Sequence, residues 1–414
     1  MALDDRLRSD VAELEHDVVE LRHRLHRRPE IGLELPQTQR AVLDALAGLP
    51  LEVSTGSSCT SVTAVLRGAG DAGAAADGGR RPAVLLRGDM DALPVREATR
   101  VEFASTIDGA MHACGHDLHT AMLVGAARLL SAHRDALAGD VVFMFQPGEE
   151  GWDGAGHMLA EGVLDAAGPR VQRAYGVHVI AGKLPRHQFT TRPGTLMAAS
   201  DELKVTVRGS GGHGSAPHRA KDPVSVAAEL VTALQTMVTR QFDIFDPVVI
   251  TVGSFHAGTK RNIIPDEAVF SATVRSFSPA AHERVRTASV RLCEAIAAAH
   301  GLTADVQYTN EYPVTVNDAA QAAFASAIVA DVFGDGRFTP MSVPEAGAED
   351  FSRVLAEVPG CYLFLGACPG DDYQAAEDNH SPRAVFDDSV MTDGCLLHAQ
   401  LAIRALADLT ATRP

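Results

Sequence analysis

The sequence lacks the features that mark secreted, membrane-spanning and disulfide-rich proteins. Its six cysteines are scattered over 414 residues, which is typical of reduced thiols and predicts a cytosolic, that is cytoplasmic, location. The first residues include Asp4, Asp5 and Arg6 and do not form a basic region followed by an apolar run. No long uncharged apolar stretch occurs later. We therefore expect neither secretion nor insertion into a membrane.

A surplus of positive charge is also absent. The formal net charge is −17 at pH 7, and an acidic surface repels the phosphate backbone of nucleic acids. Small molecules and further copies of the same chain are the expected partners. The length exceeds what one ordinary hydrophobic core organises, so two domains are expected.

The beginning of the chain shows helical periodicity. Apolar residues recur at spacings of three and four from Leu7 to Leu25, which predicts a first helix through about Arg28, ended by Pro29. Packing on a core is favoured over a coiled coil because fewer than three heptads are present. The segment 68–81, rich in Gly, Ala and Asp, is interpreted as a flexible loop tip between two strands.

A second domain is predicted between residues 199 and 312. The strands expected there are Glu202–Arg208, Val248–Ser254, Ala268–Arg275 and Ala304–Tyr308, with helices at Pro223–Arg240 and Pro279–Ala299. Their order, βαββαβ, is typical of an α+β ferredoxin-like sandwich. We expect this domain to be inserted into a first, discontinuous domain formed by residues 1–198 and 313–414.

One short stretch, Met111 to His119, sets a thiol, imidazoles and a carboxylate close together. Cys114 and His116 are two apart, so on an irregular backbone both side chains can converge on one divalent metal ion. The alternative is ordinary packing, because a lone cysteine is usually a small buried apolar residue. Partners elsewhere in the chain decide between these interpretations.

Three further residues of metal-ligand type follow predicted strands or lie within them. Glu150 comes after an apolar run and a Pro-Gly turn, His178 lies inside the run Ala174–Val179, and His380 lies in a polar loop. A solvated glutamate, a core histidine and a loop histidine are the respective alternatives. Together with Cys114 and His116 they make five ligands, more than one four-coordinate ion needs beside a water molecule. The set predicts two metal ions that share a bridging ligand. Such a pair of ions can activate a water molecule and polarise a carbonyl group.

Eight segments, taken in order, resemble the motifs of the M20 metallopeptidase family: Arg87–Pro94, Met111–Asp117, Phe145–Glu150, Gly176–Val179, Gly211–His218, Asn262–Pro265, Glu349–Phe351 and His380–Pro382. The Cys-Gly-His form is similar to the amidohydrolase subfamily, which includes hippurate hydrolases, N-acyl-amino-acid deacylases and plant auxin-conjugate hydrolases. The resemblance implies an α/β fold with a mixed-sheet catalytic domain. It also implies that the inserted ferredoxin-like domain acts in substrate closure and dimerisation.

The resemblance also implies a role for individual residues. The metal ligands would be Cys114, His116, Glu150, His178 and His380, with the thiolate of Cys114 as the bridge. Glu149 would be the general base, and the resemblance places Asp89, Asp91 and Asp117 where they orient the ligand imidazoles. His213 would stabilise the oxyanion across a dimer interface, and Asn262 and Arg275 would lie near the carboxylate of the substrate. Arg275 could equally form a surface ion pair. Gly148 stands where alanine is usual, which predicts a looser turn.

These implications define the expected activity. We expect a cytoplasmic homodimer that binds two divalent ions per subunit, among zinc, manganese, nickel and cobalt, and cleaves the amide bond of N-acyl amino acids or similar small amides. A dipeptidase or carboxypeptidase of the same family is the first alternative. The second is a metal-binding protein without activity, whose signature would be loss of Glu149 or of a ligand; neither residue is lost.

Overall fold

The computed structural model describes residues 2–71 and 81–411. Most of the segment expected to form a loop tip, residues 72–80, lies outside the described residues. The chain divides into two compact units: unit 1 comprises Met1–Gly194, Val316–Ser342 and Arg353–Pro414, and unit 2 comprises Thr195–Thr315 and Val343–Ser352. Among the helices described, none has the length and apolar character needed to cross a lipid bilayer.

The helices and strands alternate through most of the chain. The helices are α1 (Leu3–His26), α2 (Pro36–Leu46), α3 (His116–Ala132), α4 (Gly154–Ala160), α5 (Pro223–Gln241), α6 (Pro279–Ala299), α7 (Ala319–Phe333), α8 (Ser352–Glu357) and α9 (Met391–Ala411). The strands are β1 (Leu51–Thr55), β2 (Val62–Leu66), β3 (Ala83–Asp89), β4 (Asp140–Gln146), β5 (Arg173–Ile180), β6 (Phe189–Thr191), β7 (Gly194–Met197), β8 (Ala199–Arg208), β9 (Gly212–His213), β10 (Val248–Ala257), β11 (Ile263–Ile264), β12 (Glu267–Ser276), β13 (Thr303–Tyr312), β14 (Thr315–Asn317), β15 (Phe338–Pro340) and β16 (Gly360–Gly366).

Unit 1 is built on an eight-stranded mixed sheet in the order β1-β2-β4-β3-β5-β16-β6-β15. Its four central strands, β4, β3, β5 and β16, run parallel to one another. Strands β3, β4 and β16 are buried along their whole length, as expected for strands covered on both faces. Helices α1, α3 and α9 pack together with the apolar core of this sheet. The carboxyl ends of β4, β3 and β5 therefore lie side by side at one edge.

Unit 2 contains a four-stranded antiparallel sheet in the order β10-β12-β8-β13. Buried and exposed residues alternate along β8 and β12, because one face of the sheet packs on α5 and α6 and the other faces solvent. The sequence order of strands and helices is βαββαβ, so the predicted ferredoxin-like fold is confirmed. The α/β fold class with its mixed sheet in unit 1 is confirmed as well.

Several element boundaries differ from the sequence-based predictions. Helix α1 ends at His26, before the predicted end near Arg28, and it packs against α3 and α9. Helix α3 begins at His116, three residues before His119, where the sequence predicts the start of a helix that runs to His133. The sequence patterns did not predict α2 or the short edge strand β1. The early start of α3 matters most, because it places His116 in the first turn of a helix rather than in a loop.

Candidate metal centre

The predicted ligands of unit 1 lie at the carboxyl ends of its parallel strands. Strand β3 leads to Asp91, β4 leads to Glu149 and Glu150, and β5 carries His178 near its end. The crevice beyond the carboxyl ends of neighbouring parallel strands is the usual site of function in open α/β sheets. The topology therefore brings together residues that are far apart in the chain, such as Asp91 and Glu150, which are 59 positions apart.

Cys114 and His116 converge because of the glycine between them. Gly115 has a φ of 83° and is the residue immediately before α3. A Cβ atom at this position would lie 2.4 Å from Cγ2 of Val179 in β5. Glycine therefore satisfies both a left-handed backbone and a close approach to the neighbouring strand. The same turn buries Cys114 and His116 at the start of the helix.

The rings of His116 and His178 are held in one orientation by backbone carbonyl groups. His116 Nδ1 donates to the carbonyl of Asp91 at 2.9 Å, and His178 Nδ1 donates to the carbonyl of Val179 at 2.8 Å. In the neutral form of each ring, Nε2 then carries the lone pair that a metal ion would bind. His116 Nε2 is buried and has no hydrogen-bond partner among the described residues. A carbonyl that fixes the distal nitrogen of an imidazole is the usual arrangement around a metal ligand.

The Cys114 thiol lies at the centre of the candidate ligands. Its Sγ atom is 3.4 Å from His178 Nε2 and 3.2 Å from His380 Nε2. His380 Nε2 is also 3.2 Å from Oε1 of Glu150. Two sets of mutually close ligand atoms include this thiol, Cys114 with His116 and His178, and Cys114 with Glu150 and His380; within each set the atoms lie within 4.8 Å of one another. The sets have one member in common, the thiol.

Electrostatics at the centre favour positive charge. Hydrogen bonds with Cys114 and Glu150 raise the pKa of His380 to about 10. Burial opposes the protonation of His116, but Asp89, Asp91 and Cys114 together outweigh it and raise the pKa of that imidazole well above its usual range. Burial raises the pKa of Glu150, whereas the hydrogen bond with His380 lowers it. The net result is a lowered pKa. Carboxylates and a thiol thus surround a point where a cation is stabilised.

Asp91 positions the paired glutamates as well as His116. Its carboxylate accepts the backbone N–H of Glu149 at 2.9 Å and that of Glu150 at 3.0 Å. Gly148, which precedes them, has a φ of 70°, and an added Cβ would lie 2.6 Å from Cδ2 of Leu33. Instead of loosening the turn as predicted, this glycine fits a left-handed and crowded position.

Asp89 and Asp117 have different surroundings from each other. Asp89 is fully buried, accepts from Nδ1 of His119 at 2.6 Å and has Oδ2 at 3.5 Å from Nε2 of His116. Asp117 was expected to orient a ligand imidazole, but its hydrogen bonds are with Arg22 and His26 of α1, each at 2.8 Å. Asp117 lies in the first helical turn and projects away from the ligand cluster toward α1, which is the reason for this difference.

Two residues at the centre were missed by the sequence analysis. His119 donates from Nδ1 to Asp89 and accepts at Nε2 from the backbone N–H of Val179 at 2.8 Å. Because both nitrogens are engaged, His119 is a neutral bridge rather than a ligand, and burial lowers its pKa. Asn379, next to His380, bonds three backbone groups around the ligands. Its position beside a ligand histidine was the one available sequence signal.

The remaining predicted site residues lie in unit 2. The pairing of β9 with β11 sets His213 opposite Ile263, and the N–H of Gly214 donates to the carbonyl of Asn262 at 2.9 Å. His213 Nδ1 accepts from the hydroxyl of Ser215 at 2.8 Å. Arg275 donates to Ser200 and Thr273 hydroxyl groups, and no ion pair of Arg275 is found in the described part of the chain. The structure thus brings His213 and Asn262 together, and the functions of these residues stay predictions.

The chain is similar to known peptidases and hydrolases, in agreement with the candidate metal centre described above. The family model described as "Peptidase family M20/M25/M40" matches residues 85–404. The chain is 37% identical over 410 residues to thermostable carboxypeptidase 2 of Saccharolobus solfataricus, covering 98% of this chain and 99% of that protein. It is 34% identical over 399 residues to an Arabidopsis thaliana protein named IAA-amino acid hydrolase ILR1-like 5, covering 95% and 88%. A crystal structure of the Bacillus subtilis YXEP protein, described as a dinuclear metal binding peptidase, superposes with a TM-score of 0.80 at 29% identity over 96% of this chain and 99% of that one.

Proposed function

Because the chain belongs to peptidase family M20/M25/M40, we propose that it is a two-metal hydrolase that cleaves the amide bond of N-acyl amino acids or similar small amides. One observation supports this proposal above the others. Cys114 is common to two ligand sets, and each set contains a further pair of residues suited to a divalent ion. A thiolate shared between two ligand sets can bridge a pair of divalent ions.

The residues present fit two divalent ions. Cys114, His116 and His178 would hold one ion, and Cys114, Glu150 and His380 the other. The buried, unpartnered Nε2 of His116 supports ligation directly, because an orphaned polar atom in the interior costs free energy unless something binds it. Thiolate with imidazole suits zinc, and the mixed set also admits manganese, nickel or cobalt. When bound, the ions supply Lewis acidity toward the amide carbonyl and an acidified water molecule.

Glu149 would transfer the protons of the reaction. It is buried, and the Asp91 carboxylate holds its backbone N–H. Its carboxylate would accept a proton from the attacking water and donate it to the departing amine, as a positioned general base and acid. In unit 2, His213 would stabilise the oxyanion, and Asn262 and Arg275 would bind the substrate carboxylate. We assign unit 2 the role of a closing and dimerising domain, with a homodimer as the working form and a cytoplasmic location.

The decisive experiment replaces the proton acceptor while keeping the ligands. In Glu149→Gln, we expect the rate of hydrolysis of N-acyl amino acids to fall by about 100- to 10,000-fold, because general acid–base catalysis typically contributes that much. Metal content, measured by mass spectrometry of the purified protein, should remain that of the wild type. A variant that keeps both its metal and its activity would refute the assignment of Glu149.

A peptidase acting on short peptides is the second candidate. It is supported by the carboxypeptidase name of the relative that is 37% identical. Both reactions use the same centre, so the substrate determines the difference. Rates on acetyl- and benzoyl-amino acids, compared with rates on dipeptides at one metal loading, separate the two: a ratio of kcat/KM values in favour of dipeptides would select the peptidase.

A further inference from the structure

Asn379 joins the three chain segments that surround the Cys114 thiol. Its Nδ2 donates to the carbonyl of Val179 at 3.0 Å and to the carbonyl of Cys114 at 3.3 Å. Its Oδ1 accepts the backbone N–H of Ala181 at 2.9 Å. Because Oδ1 faces an N–H group and Nδ2 faces carbonyl oxygens, the network fixes the orientation of the amide.

Two of these three contacts, the Cys114 and Val179 carbonyls, lie on a candidate ligand or on its neighbour along the chain. The Val179 carbonyl that Asn379 binds also accepts Nδ1 of His178. The Cys114 carbonyl belongs to the central residue itself, and Asn379 Nδ2 lies 3.7 Å from the Cys114 sulfur. The chain then continues directly into His380. The Asn379 side chain thus contacts the backbone of the Cys114 turn and of the end of β5. Asn379 also directly precedes His380, the candidate ligand in the loop after β16.

The backbone of His380 needs such support. Its φ is 70°, in the left-handed region that costs free energy for a residue other than glycine. The N–H of His380 donates to the carbonyl of Ala113 at 2.8 Å, on the same turn that Asn379 contacts. Two neighbouring residues therefore fix this loop to the Cys114 turn by separate hydrogen bonds, and the strained conformation persists because of them.

We infer that Asn379 is a positioning residue of the metal centre, which sets the placement of Cys114, His178 and His380 and directs an N–H group toward the bridging thiolate. The inference rests on the proposed two-metal function. It goes beyond that function because the amide acts through hydrogen bonds and not as a ligand. Donors around a ligand orient it and tune its basicity, and their loss typically weakens metal binding by about 10- to 100-fold.

The chain offers a matched control for this amide. Asn317 is also in unit 1 and is almost fully buried. Its Nδ2 donates to the Thr191 hydroxyl and to the carbonyls of Arg192 and Tyr362, and its Oδ1 accepts the N–H of Tyr362. None of these groups belongs to a candidate ligand or to its neighbour along the chain. Replacing either asparagine removes a comparable network, but only one of the two networks faces the metal centre.

The test compares Asn379→Leu with Asn317→Leu, because leucine keeps the number of side-chain heavy atoms and removes the hydrogen bonds. Metal-stripped proteins are titrated with cobalt(II), and the affinity and the sulfur-to-cobalt charge-transfer absorption are measured. We expect Asn379→Leu to bind cobalt about 10- to 100-fold more weakly and with a shifted band. Asn317→Leu should lose thermal stability but keep the affinity and the band of the wild type.

The outcomes separate this inference from the proposed function. Wild-type affinity and an unshifted band in Asn379→Leu would overturn the positioning role while leaving the two-metal centre intact. Equal losses of affinity in both variants would also overturn it, since the effect would then be general destabilisation. If the leucine variant does not fold, Asn379→Ser, which keeps a short hydroxyl group, is measured in its place with the same expectation. Wild-type protein that takes up no divalent ion would contradict the proposed function and this inference together.

Discussion

Gly115 shows how one residue determines the geometry of the metal centre. With a side chain at this position, either the left-handed turn or the contact with Val179 would have to change. Either change would alter the turn that places Cys114 and His116. The donors themselves are recognisable from the sequence, because thiol, imidazole and carboxylate are chemically distinctive. Their ring orientations were not, since those depend on the carbonyls of Asp91 and Val179.

We expect Gly115→Ala to lower the free energy of unfolding by about 2 to 4 kcal/mol, as backbone strain and the contact with Val179 add. Gly109→Ala is the matched control, because Gly109 has a φ of 81° but no atom within 4 Å of an added Cβ. That variant should lose only about 1 kcal/mol, from the backbone alone. Chemical denaturation of both metal-free proteins measures the difference. Equal losses would show that the approach to Val179 does not matter.

At the scale of elements, helix α1 is attached to α3 by a buried charge pair. Arg22 is 1% exposed, and its Nε lies 2.8 Å from the fully buried carboxylate of Asp117. Burial raises the pKa of Asp117, whereas the Arg22 guanidinium lowers it. The resulting pKa lies well below its usual range. Asp117 directly follows the candidate ligand His116, so this pair anchors the start of α3. The periodicity of α1 indicated its apolar face, but a buried arginine on that helix was not predictable from the pattern.

Arg22→Met is therefore expected to reduce the free energy of unfolding by about 3 to 5 kcal/mol, because the carboxylate of Asp117 would stay buried with one partner fewer. The control is Arg40→Met, since Arg40 is 76% exposed and pairs with Asp44 one turn away. Its loss should change the stability by less than about 0.5 kcal/mol. Urea titrations followed by circular dichroism provide the comparison. Similar stability of the two variants would contradict the anchoring role of Arg22.

At the scale of the whole molecule, every proposed ligand lies in unit 1 and none in unit 2. The ligand rings of His116 and His178 are already oriented by hydrogen bonds within unit 1. Metal binding should therefore stabilise a fold that already exists rather than create one. The βαββαβ order of unit 2 was predictable because apolar and polar residues alternate along its strands and because its helices are long. The edge strand β1 was not, since an exposed five-residue strand carries little pattern.

Removal of the metal by a chelator should abolish hydrolysis, and readdition of two equivalents should restore it. Ligand binding at a thousand times its dissociation constant stabilises the folded state by about 4 kcal/mol. Hydrogen exchange should locate this effect: amides of β3, β4 and β5 should exchange more slowly after metal is added, while those of β8 and β12 keep their rates. Equal slowing in both units, or no slowing in β5, would contradict the assignment of the ligands to unit 1.

The sequence by itself determined the chemical class of the centre and the order of the elements. Ligand residue types at Cys114, His116, Glu150, His178 and His380 are local properties, and so is the periodicity of a long helix or strand. Only the tertiary structure decided which groups orient them, because the hydrogen bonds of His116 to Asp91 and of Asn379 to Cys114 and Val179 join segments far apart in the chain. It also assigned Asp117 to Arg22 and His26 instead of a ligand. Side-chain partners depend on which elements pack together, and no local pattern contains that information.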